Sequence, residues 1–197
     1  MSIELVLGLG NPGPRYAETR HNVGFRVVDE LGCRSGIGSW EPYILSDLRT
    51  LDIGRGVVAA KPMTYMNRSG AALSWLLERF NLEPGQILVV VDDIDLPIGR
   101  LRLRKSGGPG THNGLRDLCE VAGKVYPRLR VGVRGDEVLD DLAKYVTDPF
   151  GAHELEDVDR SILRAADAVE EVITDGLDVA MNRFNRVESE EVRKLEG

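Results

Sequence analysis

Five consecutive apolar residues, Ile87-Leu88-Val89-Val90-Val91, lie between the break Glu83-Pro84-Gly85 and the carboxylates Asp92 and Asp93. No polar residue interrupts the run, so neither face of the strand it forms can look onto water. It predicts a strand buried at the centre of a sheet. Both faces of that sheet must then be covered, which calls for helices above and below it. The rest of the chain supplies them. Ile3-Glu4-Leu5-Val6-Leu7 reads as a second buried strand ending at glycine, and Val23, Val27, Val28 and Leu31 form a helical stripe that Gly32 can terminate. Tyr43 to Leu51 and Gly56 to Lys61 read as a hairpin-like pair of strands joined through Asp52 to Arg55. Asn67 or Ser69 caps a helix running to Phe80, with Ala72, Leu73, Leu76, Leu77 and Phe80 on its core face.

Further along, a helix is expected from His112 to Ala122 and a strand from Arg128 to Val133, followed by helices over Leu139 to Tyr145, Ala152 to Thr174 and Leu177 to Asn185. Interleaved strands and helices predict an α/β fold, a single-domain three-layer α/β/α sandwich around a mixed, mostly parallel sheet. With 197 residues, 42% of them hydrophobic, the chain can bury one good core and is short for two. The domain is expected to span residues 1–187, and the charged tail 188–197 to fray. The sequence starts with neither a basic leader nor an apolar stretch of signal-peptide length, and Cys33 and Cys119 form no C-x-x-C pair. A reducing cytoplasm is the expected compartment, with both thiols serving as buried small hydrophobes.

A net charge of −7 argues against a nucleic-acid partner until its distribution is read. Between Asp136 and Asp175, thirteen Asp or Glu meet three Lys or Arg, which puts −10 in that stretch and leaves +3 for the remainder. Within the remainder, Arg100, Arg102 and Arg104 alternate with Leu101 and Leu103, and Lys105 follows. On a strand the arginines share one face. That face is either a binding surface for a polyanion or the solvated side of an edge strand protected by its charges.

Chemistry gathers at strand ends. Gly8-Leu9-Gly10-Asn11-Pro12-Gly13 satisfies G-x-G-x-x-G, and His21-Asn22-Val23-Gly24 follows eight residues after Gly13. A dinucleotide-binding oxidoreductase would need this loop to open directly into a helix, with an acid after the next strand. Here Pro12 and Pro14 punctuate the segment, and Asp29 and Glu30 fall within helix. Asp92 directly follows the central strand, where a carboxylate can orient an imidazole, so His21 is a candidate general base as well as a candidate for an ordinary capping or core role. Asp92, Asp93 and Asp95 could alternatively hold magnesium. No phosphate-binding G-x-x-x-x-G-K-[ST] accompanies them, His21, His112 and His153 lack zinc spacing, and no serine lies in G-x-S-x-G. Water activated by a base is the chemistry left.

Taken together, Gly8 to Gly13, Tyr16, Thr19-Arg20-His21-Asn22-Val23-Gly24, Lys61-Pro62, Thr64 to Gly70, Asp92-Asp93-Ile94-Asp95-Leu96-Pro97 and His112-Asn113-Gly114-Leu115-Arg116 closely resemble the bacterial peptidyl-tRNA hydrolase family. The likeness runs from Leu5 to Asn185 and includes Tyr145-Val146 and Phe150. It implies a monomeric cytoplasmic esterase that cleaves the bond between a peptide and the 3′ ribose of tRNA, with peptidyl-tRNA as partner, no membrane, and no metal or organic cofactor. By the same resemblance His21 is the base, Asp92 fixes its tautomer and Asn113 supports the oxyanion. Asn11, Asn67, Tyr16, Tyr65 and Met66 hold or line the substrate crevice, and Arg102, Arg104 and Lys105 belong to the region that clamps the 5′ phosphate of tRNA. A catalytically silent RNA-binding relative would keep the basic strand and could lose His21 or Asp92. The chain departs from the family pattern at Gly108-Pro109-Gly110-Thr111, where proline restricts the loop, and at Arg134-Gly135-Asp136. Neither departure touches a catalytic position, so both bear on loop mobility and tRNA contacts.

Overall fold

Alternation along two strands divides the core in two. In Leu5–Gly8 (β1) and Ile87–Pro97 (β5), residues Leu5, Leu7, Ile87, Val89 and Val91 pack on one side, while Val6, Leu88 and Val90 pack on the other. Burying such side chains is worth about 1.5–3 kcal/mol each, so both faces of these strands drive helix docking. Helices Ser69–Phe80 (α2) and Asn113–Ala122 (α3) cover the first side through Leu73, Leu76, Leu115 and Leu118. Helices Val23–Ser35 (α1), Leu155–Thr174 (α5) and Leu177–Phe184 (α6) cover the second through Val27, Val28, Ile162, Val169 and Phe184. This computed structural model describes residues 2–36, 40–42, 48–52, 55–136 and 140–186.

The remaining strands are Glu41–Pro42 (β2), Leu48–Asp52 (β3), Val58–Pro62 (β4), Leu101–Arg104 (β6) and Arg128–Arg134 (β7), in the sheet order β2-β3-β4-β1-β5-β7-β6. The central strands β4, β1, β5 and β7 run parallel, while antiparallel pairings lie toward the edges. The sheet is therefore mixed with a parallel centre, and the three layers are those expected. Helix Leu142–Thr147 (α4) sits at the carboxyl end of the sheet and packs against the turn Arg20–Asn22.

Several local expectations are corrected. Strand β5 continues past Val91 to Pro97, with its register against β7 shifting between Asp93 and Pro97. Gly32 is buried inside α1 and does not end it; Arg34 of the next turn bonds Glu30, Asp167 and Glu170, and the helix stops at Gly36, whose φ of 69° is left-handed. Neither Asn67 nor Ser69 caps α2: Asn67 lies inside the 3-10 turn Met66–Arg68, Ser69 is the first residue of the helix, and the Gly70 N–H donates to Asp117 Oδ2 on α3. Asp141 caps α4, and α5 begins at Leu155. Cys33 is exposed and Cys119 only partly buried, so the expectation of two buried thiols fails. The expected strand residues Tyr43 to Asp47, the helix start Leu139 and the tail 188–197 lie outside the described residues.

Candidate active site

The glycines after β1 act through closeness to other backbone. A Cβ on Gly8 would stand 2.4 Å from the Gly24 carbonyl oxygen, and one on Gly24 would stand 2.5 Å from those of Leu9 and Val90. Gly10 lies against the Phe25 ring, 2.6 Å from the place of a Cβ. The first turn of α1 thus rests directly on β1 and β5. Gly13, at φ 98°, turns the chain into the short 3-10 helix Pro14–Tyr16. A dinucleotide fold would place a long helix N-terminus here, so the G-x-G-x-x-G match carries no phosphate loop.

This packing delivers the turn Arg20–Asn22 to the carboxyl ends of the central strands, where an open α/β sheet collects its polar groups. His21 Nδ1 lies 2.8 Å from Asp92 Oδ1, and His112 Nε2 lies 2.9 Å from the same oxygen. The two rings are 4.8 Å apart. His112 is also the N-cap of α3, its Nδ1 accepting the Leu115 N–H at 3.1 Å. An acceptor at Nδ1 leaves the proton on Nε2, so the hydrogen-bond network assigns His112 as a neutral donor to Asp92. His21 likewise turns its Nδ1–H to Asp92, which leaves Nε2 with a lone pair for a water.

Burial works against a charged His21, but the charge and hydrogen bond of Asp92 outweigh it and raise its pKa above the ordinary 6.5. Asp92 is itself fully enclosed, which favours its neutral form, yet the two imidazoles hold its carboxyl far below the usual range. The buried carboxylate is thereby kept ionised beside His21.

Among the described residues, His21, Asp92 and His112 form a group near enough to share a metal ion, with ligand atoms within 4.8 Å of one another. A metal on His112 Nε2 would move that ring's proton to Nδ1, directly against the Leu115 N–H. The donor set therefore fits a hydrogen-bonded relay. The magnesium alternative fares no better: Asp93 Oδ2 pairs with Arg130 at 3.1 Å and its Oδ1 accepts the Asp95 N–H at 3.0 Å.

Asn11 is buried, and its backbone exchanges two hydrogen bonds with the Asn22 side chain, at 2.8 and 3.0 Å. Its Oδ1 accepts the Met66 N–H at 2.9 Å, which directs its NH2 group elsewhere. Met66 Sδ fills the space over Gly114, where a Cβ would be 2.5 Å away. The rings of Tyr16 and Tyr65 meet edge to face at 6.4 Å, and Tyr65 is 57% exposed. Asn67 and Asn113 are exposed, and Arg116 holds the Asn113 Oδ1 at 3.2 Å. A cavity of about 190 Å³ opens beside His21, Asp92 and Asn113, with Leu142 and Val146 of α4 and Arg130 of β7 in its wall.

The arginine face lies farther out. Strand β6 buries Leu101 and Leu103 and exposes Arg102 and Arg104, as the alternation predicts. Arg102 pairs in register with Arg130, which pairs in turn with Val91, so the strip starts close to the level of Asp92 and runs along the sheet edge toward its opposite end. Lys105 is tied to Asp178 of α6 at 2.6 Å. Sequence reasoning missed that His112 shares Asp92, that Asn22 braces Asn11, and that Arg128 and Arg130 both donate to the Gly108 carbonyl, at 3.3 and 3.2 Å. The H-N dipeptide at 112–113 was the available signal for the first; the others had none.

A family model described as peptidyl-tRNA hydrolase matches residues 5–193. A peptidyl-tRNA hydrolase of Synechococcus sp. (strain JA-3-3Ab) is 45% identical over 192 residues, covering 94% of this chain and 84% of the relative. That of Aquifex aeolicus is 42% identical over 188 residues, covering 94% and 98%. The crystal structure of peptidyl-tRNA hydrolase from Acinetobacter baumannii superposes with a TM-score of 0.84 at 34% identity, over 93% of this chain and 94% of that one. Matched along nearly its whole length in sequence and in fold, the chain belongs to the peptidyl-tRNA hydrolase family.

Proposed function

We propose that His21 is the general base of this enzyme and Asp92 the group that orients it. Family membership gives the reaction: the chain is a carboxylic ester hydrolase that releases tRNA from peptidyl-tRNA. The observation that carries the assignment is the His21 Nδ1 to Asp92 Oδ1 hydrogen bond at 2.8 Å, which leaves Nε2 as the acceptor at the cavity. A water there gives its proton to Nε2 while its oxygen attacks the ester carbonyl carbon. The negative charge passes to the carbonyl oxygen, where the NH2 group of Asn113 can support it, its Oδ1 being held by Arg116. Collapse expels the 3′ oxygen of the ribose, which takes the proton back from His21.

The other site residues position the substrate. The NH2 group of Asn11 is free to donate to a peptide carbonyl because its oxygen is committed to Met66. Tyr16 and Tyr65 offer aromatic faces for the terminal base, with Asn67 beside them. Arg102, Arg104 and Lys105 contact phosphates along the sheet edge, so the body of the tRNA runs down β6 while its 3′ end enters the cavity. The enzyme acts as a monomer in the cytoplasm, where peptidyl-tRNA is made. No helix of the described residues is long and apolar enough to cross a membrane.

Release of peptide from an N-blocked aminoacyl-tRNA tests the assignment. His21→Ala lowers turnover by roughly 10²- to 10⁴-fold while the Michaelis constant stays close to that of the wild type. Undiminished turnover in that variant would mean that another group is the base.

A further inference from the structure

Arg20 precedes the base by one residue and is 2% exposed. Residues 145–154 supply its guanidinium with two hydrogen bonds and two aromatic rings. Nη1 donates to the Pro149 carbonyl at 2.6 Å and Nη2 to Glu154 Oε2 at 2.7 Å, while the group stacks 4.2 Å over the Tyr145 ring and 4.9 Å from that of Phe150. Main chain repeats the connection: the Arg20 N–H donates to the Asp148 carbonyl at 3.3 Å, and Thr19 bridges Pro149. The receiving stretch is fixed in its turn. The Tyr145 hydroxyl donates to the Val133 carbonyl and accepts the Gly135 N–H, and Glu154 Oε2 also accepts the Gly151 N–H.

A three-residue 3-10 turn has few bonds of its own with which to set the direction of a side chain. Arg20 gives this one an external brace with a geometry-specific fork, which a lysine cannot reproduce. The same brace reaches α4 through Tyr145, and Leu142, Ala143 and Val146 of that helix line the cavity that His21 also lines. Base and wall thus share one fixture. A displacement of about 1 Å at a reacting group costs roughly 10²-fold in rate, so such a fixture bears on turnover as well as on folding.

We propose that Arg20, paired with Glu154, is a positioning residue for the hydrolysis, holding the His21 turn and the α4 wall of the cavity in one register. The proposal rests on His21 being the base. Arg20→Lys keeps the charge that faces Glu154 and loses the fork and the flat stacking surface. Its kcat per folded molecule falls roughly 10- to 100-fold with KM within about twofold of wild type. His21 is bonded to Asp92 and lies against the His112 ring, with Asp93, Asp95 and Arg130 around the same cavity, and loosening the Asp92 bond moves the acid limb of the pH–rate profile, and the His21 titration followed by NMR, to lower pH. Glu154→Gln retains an acceptor for Gly151 and shifts both readouts in the same direction by less.

If Arg20→Lys does not fold, Glu154→Gln decides on the same measurements. A folded variant with wild-type kcat, or with its loss wholly explained by the folded fraction and its acid limb unmoved, overturns the proposal. Failure of the base assignment looks different, because it shows in His21→Ala, whereas the NMR titration reads the positioning without any turnover.

Discussion

Replacing Asp92 by asparagine removes one charge and almost no volume. In the wild type, Oδ1 accepts N–H groups from His21 at 2.8 Å and His112 at 2.9 Å, and an asparagine oxygen can keep both bonds. What goes is the anion that stabilises the imidazolium formed when His21 takes a proton. Unit charges about 4 Å apart attract by on the order of 4 kcal/mol at an effective dielectric of about 20, an upper bound for this contribution. Exchanging a charged for a neutral acceptor sets the lower bound, about 1 kcal/mol. A loss of about 2 to 3 kcal/mol corresponds to roughly 30- to 150-fold in kcat, less than the loss of the imidazole itself. The assay is saturating turnover of N-blocked aminoacyl-tRNA from pH 5 to 9, a range of about four units spanning the histidine titration. His21 must be unprotonated to act, and its wild-type pKa is raised above 6.5, so wild-type activity falls as pH drops through that raised value. In the variant, burial is no longer opposed by the carboxylate, and the acid limb moves down in pH. A variant that loses turnover with its acid limb unmoved would show that Asp92 acts otherwise than through the base.

The arginine face of β6, the His21–Asp92–His112 cluster and the close-packed turn give three further predictions. Arg102→Ala with Arg104→Ala raises KM, leaves saturated turnover nearly unchanged and flattens the log–log salt dependence of binding by about one to two units; an unaltered slope would make β6 a solvated edge and move the tRNA contacts to Arg130 and Arg134. Exhaustive chelation leaves the rate unchanged, because Asp93 is committed to Arg130 and His112 to its cap; a loss restored by magnesium would contradict this. Gly24→Ala drives a Cβ within 2.5 Å of two backbone oxygens and lowers stability by about 1–3 kcal/mol, read as a fall in Tm of roughly 3–10 °C, with an unchanged Tm as the contrary result.

Where a residue's environment was written by its neighbours in the chain, it could be read in advance. The uninterrupted run from Ile87 placed β5 among the central strands, and the Arg–Leu alternation gave the in-and-out pattern of β6. The His21–Asp92 contact was legible because carboxyl ends of parallel strands converge and because the motifs matched a family. The continuation of α1 beyond Gly32 was not, since it depends on Arg34 meeting Asp167 and Glu170 of a helix more than a hundred residues away. For the same reason nothing near Arg20 announces Glu154, and nothing near Asp92 announces a second imidazole. Long-range polar partners carry no periodicity. The uncapped start of α2 was missed because Asp117 of α3 takes the N–H that a local side chain was expected to take.

The cap at the head of α3 turns one backbone proton into an observer. The Leu115 amide hydrogen lies on His112 Nδ1, and the far side of that ring lies on the Asp92 carboxylate. Its chemical shift and its exchange with deuterium are therefore set by whether the ring is held in place, and an amide of this kind exchanges only when its local bond opens. A backbone spectrum can thus follow the His21–Asp92–His112 cluster through substrate arrival, substitution or a change of pH, with no label on any of its side chains.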